Sequence, residues 1–186
     1  MNIGFALCGS FCTYERVFPV MEALAAEHRV IPIFSGAAAT LDSRFGKAAE
    51  FLARAEEICG SPPLLTVPDV EPIGPKKMLD VLVIAPCTGN TLAKLAHSIA
   101  DGAVTMAAKS HLRNGRPLVI AVSTNDALAG AAENIGRLLN RKHCYFVPFG
   151  QDDPAKKPTS MVAHFEMIPQ TVEAAMDGRQ VQPLIQ

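Results

Sequence analysis

Residues 80–102 read "DVLVIAPCTGNTLAKLAHSIADG", and this stretch decides the fold class. Its first part, Asp80 to Pro86, is a short run rich in Val, Leu and Ile on both parities. That is the pattern of a strand covered on both faces, as in a parallel sheet between helix layers. Pro86 marks the expected strand end, and a turn of small polar residues follows, Cys87-Thr88-Gly89-Asn90. From Thr91 to Gly102 the chain reads as a helix. Strand, polar turn and helix make one unit of an alternating α/β chain.

The same alternation runs outward in both directions. Further strands are expected at "NIGFALC" (2–8), "RVIPIFS" (29–35), "PLVIAVS" (117–123) and "CYFVPF" (144–149). Helices are expected at 13–28, 44–60, 104–115 and 131–142, several ending in Gly or Asn after basic residues. This order predicts right-handed crossovers and a doubly wound parallel sheet in a three-layer α/β/α single domain spanning 1–186. Two stretches stand apart. Residues 61–79, "SPPLLTVPDVEPIGPKKML", are Pro-rich and read as an extended connection with a short edge strand. Residues 151–160 form a polar loop of the length that often carries function, and 178–186 read as a C-terminal tail.

Bulk numbers narrow the function classes. The 186 residues suit one ordinary domain, and 49% apolar with 19% charged residues exclude a disordered chain. A net charge of −1 without a basic stripe gives no case for nucleic acid. No apolar run approaches membrane-spanning length, and the first residues lack the basic start of a leader, so they read as a buried strand. Low charge with many apolar residues favours a homo-oligomer. The five cysteines are odd in number and irregular in spacing, which points to free thiols in a reducing cytoplasm. Cys8 and Cys12 have no second Cys/His pair, so no metal site is expected.

Ligands of open parallel sheets gather at the carboxyl ends of the strands. Those ends carry Gly9-Ser10, Ser35-Gly36, Pro86 through Thr91, and Ser123-Thr124-Asn125-Asp126. The pattern G-x-G-x-x-G is missing, so bare glycines cradling a pyrophosphate are not expected. Hydroxyl donors beside helix N-termini suit a single phosphate instead. Ser10, Ser35, Thr88 and Thr91, with Gly9 allowing close backbone approach, are the candidates to hold a phosphate-bearing ligand, and Asn90 and Asn125 can bond a ring edge because an amide both donates and accepts. The competing reading makes Ser10, Thr88 and Asn90 simple N-caps. Cys87 is either a thiol activated by the next helix or a buried inert one. Among the loop-borne cations the best placed is Arg44, just beyond the second strand end, ahead of Lys76, Lys77, Lys156 and Lys157. Among the histidines only His164, after the long loop, is a candidate for substrate contact.

Pro86, Asn90, Thr91, Lys94, Ala96, Ile99, Ala100 and Asp101 fit P-x-x-x-N-T-x-x-K-x-A-x-x-I-A-D. In this the chain resembles the flavin-binding, cysteine-decarboxylase-like flavoproteins, and Gly9-Ser10 fits that family's opening turn. The strings "DSRFGKAAEF" (42–51), "EPIGPKKMLDVLVIAPCTGNT" (71–91), "TNDALAG" (124–130) and "YFVPFGQDDPAKKPTSMVA" (145–163) resemble its dipicolinate synthase branch. The resemblance spans nearly the whole chain. It implies a Rossmann-like fold, an FMN cofactor held by the strand-end residues, Pro86, Ser123 and Thr124 included, and a homo-oligomer with flavin sites near its interfaces. It also implies a separate nicotinamide-dependent A subunit, a small dicarboxylate substrate, and formation of pyridine-2,6-dicarboxylate in the mother-cell cytoplasm of a spore former. Two departures stand out. The family's decarboxylases carry a catalytic His before the third strand, where "TVPDVEPIGPKKML" (66–79) has none. They carry P-x-M-N where this chain has Ser123-Thr124-Asn125. Both argue against a decarboxylase and leave catalytic residues unassigned. The remaining alternative is a non-catalytic partner that stabilises the A subunit.

Overall fold

The computed structural model describes residues 1–186. Five parallel strands form the sheet: β1 (Asn2–Leu7), β2 (Arg29–Phe34), β3 (Val81–Cys87), β4 (Leu118–Thr124) and β5 (Cys144–Phe146). Their order is β2-β1-β3-β4-β5. Two short strands, β6 (Phe149–Gly150) and β7 (Met161–Ala163), form an antiparallel pair. β7 adds to the carboxyl end of β4, with Ser123 opposite Val162 and Thr124 opposite Met161. The eight helices are α1 (Tyr14–Glu27), α2 (Gly36–Thr40), α3 (Ala48–Cys59), α4 (Val67–Val70), α5 (Gly89–Ala96), α6 (Ala103–Leu112), α7 (Ala132–Leu139) and α8 (Ile168–Met176). On one face α1 meets α3 and α8, and on the other α6 meets α4 and α5 while α5 meets α7. The expected three-layer, Rossmann-like α/β/α domain is the fold observed.

The apolar runs account for the layers. Every residue of β3 is buried, as are Ile3–Leu7 of β1 and Leu118–Ser123 of β4. Covering both faces of three central strands is what the two helix layers supply, and apolar area removed from water stabilises by about 25 cal/mol per Å². At the end of β1 the Tyr14 hydroxyl donates to the Cys8 carbonyl at 2.9 Å. This bond ties the first turn of α1 to the strand and fixes the loop between them.

Several boundaries differ from the sequence expectation. β3 continues through Pro86 to Cys87, with a register shift between Ile84 and Cys87 against β4. Proline has no N–H to give a ladder, so the pairing skips there and resumes after it. The helix expected to run to Gly102 stops at Ala96. Ser98 adopts φ 59°, and the Ile99 N–H turns back to the Lys94 carbonyl at 2.8 Å. The 61–79 connection is only briefly extended, where Leu64 bridges Ile33. It then forms α4, capped by Thr66, and a 3-10 turn at Glu71–Ile73. "CYFVPF" divides into β5 and β6. Residues 178–186 dock rather than trail. The Gln180 side chain accepts from the Phe146 N–H at 2.8 Å and donates to the Phe146 carbonyl at 2.7 Å, and Ile185 bridges Phe149. No helix is long and apolar enough to cross a membrane.

Candidate functional site: a two-lobed cleft at the strand ends

The strand order reverses between β1 and β3: one leads to β2 at the edge, the other to β4 on the opposite side. Loops leaving two such strands diverge to opposite faces and open a crevice. Gly9 from the β1 loop and Thr88 from the β3 loop stand on the ridge of this crevice and line both of its lobes.

The first lobe is a cavity of about 460 Å³. Ser35, Gly36, Asn90 and Thr91 line it together with the first turns of α5 and α6. Thr88 caps α5, its Oγ1 accepting from the Thr91 N–H at 3.3 Å. Thr91 in turn donates its hydroxyl to the Cys8 sulfur at 3.3 Å. Ser35 caps α2 by accepting from the Ala38 N–H. At α6 the Gly102 N–H donates to Thr105 Oγ1. Helix starts leave N–H groups without intrahelical partners and carry positive dipole ends, so α5 and α6 together favour an anion here. Lys94 is the lobe's cation, and it donates to both Asp101 oxygens at 2.9 and 2.8 Å. That hydrogen bond holds the Asp101 carboxyl below its ordinary range.

The second lobe measures about 610 Å³. Ser10, Phe11 and Cys12 form one wall, Ser43 and Phe45 a second, and Ser123, Thr124 and Asn125 the floor. Asp152, Lys157, Ser160 and Val162 close it from the polar loop and β7. The Ser10 hydroxyl lies 2.7 Å from that of Ser123, bridging the ends of β1 and β4. Its side chain makes no capping bond to a helix N–H, so the N-cap reading of Ser10 is set aside, whereas Thr88 and Ser35 do cap. Lys157 donates to Asp152 at 2.9 Å. Burial works to raise the Asp152 carboxyl, but hydrogen bonds from Ser160 and Lys157 outweigh it and leave it lowered. Lys157 is raised by the same hydrogen bond. Both partners are therefore charged at neutral pH.

The thiols beneath the cleft are inert. Burial pushes Cys8 up to about 11, against hydrogen bonds from Thr91, Thr88 and Ser35. Burial, with Cys8 beside it, drives Cys87 well above its ordinary value. The activated-thiol reading of Cys87 is set aside.

Gly9, Ser10, Ser35, Thr88, Asn90, Thr91, Ser123, Thr124 and Asn125 are thus brought together. Pro86 is buried inside β3 and lines neither lobe. Arg44 stands between the lining residues Ser43 and Phe45, exposed, with its guanidinium 4.8 Å above the Phe45 ring. His164 lies outside both lobes, 3.6 Å from Glu166, because β7 runs antiparallel to β4 and carries the chain away from the strand ends. Sequence reasoning ranked Lys157 behind Arg44 and passed over Phe11, Phe45 and the start of α6. "AKKP" looks like ordinary surface sequence, and only the β6–β7 pair folds it over the cleft. Gly89 was also passed over. A Cβ there would lie 2.8 Å from both Asp126 Oδ1 and Thr124 Oγ1.

The profile of the Flavoprotein family matches residues 1–174. The chain belongs to this family. Among Flavoprotein relatives it is 47% identical to the dipicolinate synthase B subunit of Bacillus subtilis (strain 168), over 99% of this chain and 92% of that one. The crystal structure of the dipicolinate synthase B subunit from Bacillus halodurans C superposes with a TM-score of 0.91 at 45% identity, covering 100% of this chain and 95% of the other. The FMN-dependent cysteine decarboxylase SpaF superposes at 0.66 with 22% identity, covering 94% and 97% of the two chains, which shows a shared fold.

The donor set of the first lobe fits an FMN-type group. Two helix starts and the hydroxyls of Ser35, Thr88 and Thr91 suit a phosphate and a polyol, and Asn90 suits a polar edge.

Proposed function

We propose that this chain is an FMN-binding B subunit of dipicolinate synthase. In this reading it contributes, with the A subunit of dipicolinate synthase, to oxidising a dihydrodipicolinate-type precursor to pyridine-2,6-dicarboxylate during sporulation. The observation that carries the reading is the convergence of hydroxyl and amide side chains from four strand ends on one two-lobed cleft, whose first lobe opens onto the N-termini of α5 and α6. The identity to the B. subtilis relative supports it. Aromatising a dihydropyridine removes a hydride equivalent and a proton, and a bound flavin supplies a two-electron acceptor. The chain's own residues bind and orient. Ser35, Thr88 and Thr91 with the starts of α5 and α6 hold the phosphate end. Lys157, held over the second lobe by Asp152, receives one substrate carboxylate. Asn125 and the Ser10–Ser123 pair orient the ring edge, and Phe11 and Phe45 exclude water.

A homo-oligomer belongs to this reading. Leu41, Phe45 and Leu128 are 54%, 46% and 52% exposed. Phe45 lines the cleft, and the Leu128 N–H bonds to Thr159 in the polar loop. A second copy covering that apolar rim would place cofactor sites near the interface. The mother-cell cytoplasm is the matching compartment.

A second reading makes the chain a non-catalytic stabiliser of the A subunit. It is favoured by one observation: no histidine lines either lobe. The absorbance spectrum of purified protein, before and after FMN addition, with the rate of pyridine-2,6-dicarboxylate formation in the presence of the A subunit, separates the two. A stoichiometric flavin band and a rate that depends on it are expected. Full stimulation of the A subunit by flavin-free protein would leave the stabiliser reading standing.

A further inference from the structure

A further cavity, of about 420 Å³, adjoins the first lobe at Thr105, which lines both, and runs along α6 between the end of α5 and the turn after α7. Leu95, Ile99, Ala108 and Leu112 give it an apolar lining. Lys109 and Arg113 of the α6 end flank it, as do Arg141 and Lys142 from the α7–β5 turn, and no carboxylate lines it. None of the seven ion pairs of the chain involves these four cations. Arg141 Nη1 donates to the Leu95 carbonyl at 3.1 Å, which orients that guanidinium over the end of α5.

The competing explanation is helix electrostatics. Three helices end around this cavity, and cations are favoured at carboxyl ends. That accounts for cations being nearby. It does not account for the cavity between them. Nor does it account for Lys109 and Lys142, whose ammonium groups donate to no protein acceptor although Lys109 and Arg113 are like charges one helical turn apart. In a chain whose net charge is −1, four cations without a carboxylate around one apolar floor leave an unmet anionic complement.

We infer that this cavity binds a planar dicarboxylate, its flat apolar body on the Leu95–Ile99–Leu112 floor and its two carboxylates held by the α6 pair and the 141–142 pair. Apolar walls with a few convergent charges, at this size, are the usual make-up of a small-molecule site. Two cationic positions separated by an apolar surface select a rigid dianion over a monoanion, and Arg141 offers a carboxylate two parallel N–H groups. Nothing in the cavity reads a ring nitrogen.

The test uses the full chain and two probes. Pyridine-2,6-dicarboxylate rests on the proposed function, and benzene-1,3-dicarboxylate does not. Calorimetric titration should show both binding at this site, with benzene-1-carboxylate weaker by about tenfold, the value of one charge-assisted contact. Lys109→Ala/Lys142→Ala should weaken both dicarboxylates by about tenfold or more. These exposed changes should leave the melting temperature and FMN titration as in the parent. Equal affinity for mono- and dicarboxylate, no binding at millimolar probe, or an unaffected double variant would each overturn the inference. Failure of FMN to bind, or of the A subunit to respond, would remove the proposed function and leave these outcomes readable.

Discussion

Ser10 shows how much one hydroxyl does here. It joins the β1 loop to the end of β4 through Ser123 and faces the second lobe. Ser10→Ala should lower stability by about 0.5–1.5 kcal/mol, the net value of one hydrogen bond. With the hydroxyl also orienting the ring edge, FMN affinity should fall about two- to tenfold, the value of one neutral hydrogen bond. Melting curves and FMN titrations of both proteins check this, and a stability change with unaltered affinity would confine Ser10 to the loop bridge. His111 gives a pH prediction. It is 1% exposed, and its Nε2 donates to the Pro117 carbonyl at 2.9 Å. Burial, opposed by that bond, lowers it from 6.5 to about 4. The unfolded chain therefore binds the extra proton first. Stability from this group is fully present above about 6.5 and is lost as pH falls toward 4, by about 3 kcal/mol in all. Urea melts at pH 7 and pH 5 should show the loss in the parent and a flatter profile in His111→Gln.

At the scale of elements, the site depends on how closely α5 approaches β4. Gly89 opens α5 with no side chain because Thr124 and Asp126 occupy the space. Gly89→Ala should force the helix start off the strand end at a cost of about 1–3 kcal/mol. It should weaken FMN binding too, since the N–H groups of that first turn move with it. Calorimetric melting and flavin titration measure the two effects. The carboxyl-terminal segment is a second such element. Gln180 satisfies both backbone groups of buried Phe146, so Gln180→Ala leaves them unpaired. The expected cost is about 1–3 kcal/mol, read as a lower urea midpoint at unchanged slope. The sequence marked 178–186 as a tail because its short polar text has no period. Its role lies in contacts with β5 and β6 that no local pattern announces.

At the scale of the whole molecule, the cleft lies at the single reversal of strand order, and its rim is apolar. Sedimentation at micromolar concentration should report a species larger than the monomer. A charged replacement at the rim, Leu128→Glu, should shift it toward monomer with little change in melting of the isolated chain. A sole monomer in the parent would remove the interface from the proposed function. The sheet was legible because strands covered on both faces must be apolar on both parities, a signal that "VLVIAP" and "PLVIAV" carry without help from neighbours. The strand-end hydroxyls were legible for the same reason: they follow those runs directly.

What the sequence determined by itself was the local and periodic part: five apolar strands in α/β alternation, the polar turns after them, and a chain of low charge with free thiols. Tertiary structure alone decided the rest. It turned Ser10 toward Ser123, 113 residues away, and laid Lys157 over the cleft through the β6–β7 pair. It carried His164 out of reach and gathered the cations of α6 and the α7–β5 turn around one cavity. These placements follow from strand order and from which ends of which elements meet. Contacts between residues far apart in the chain leave no periodic trace in the residues that make them.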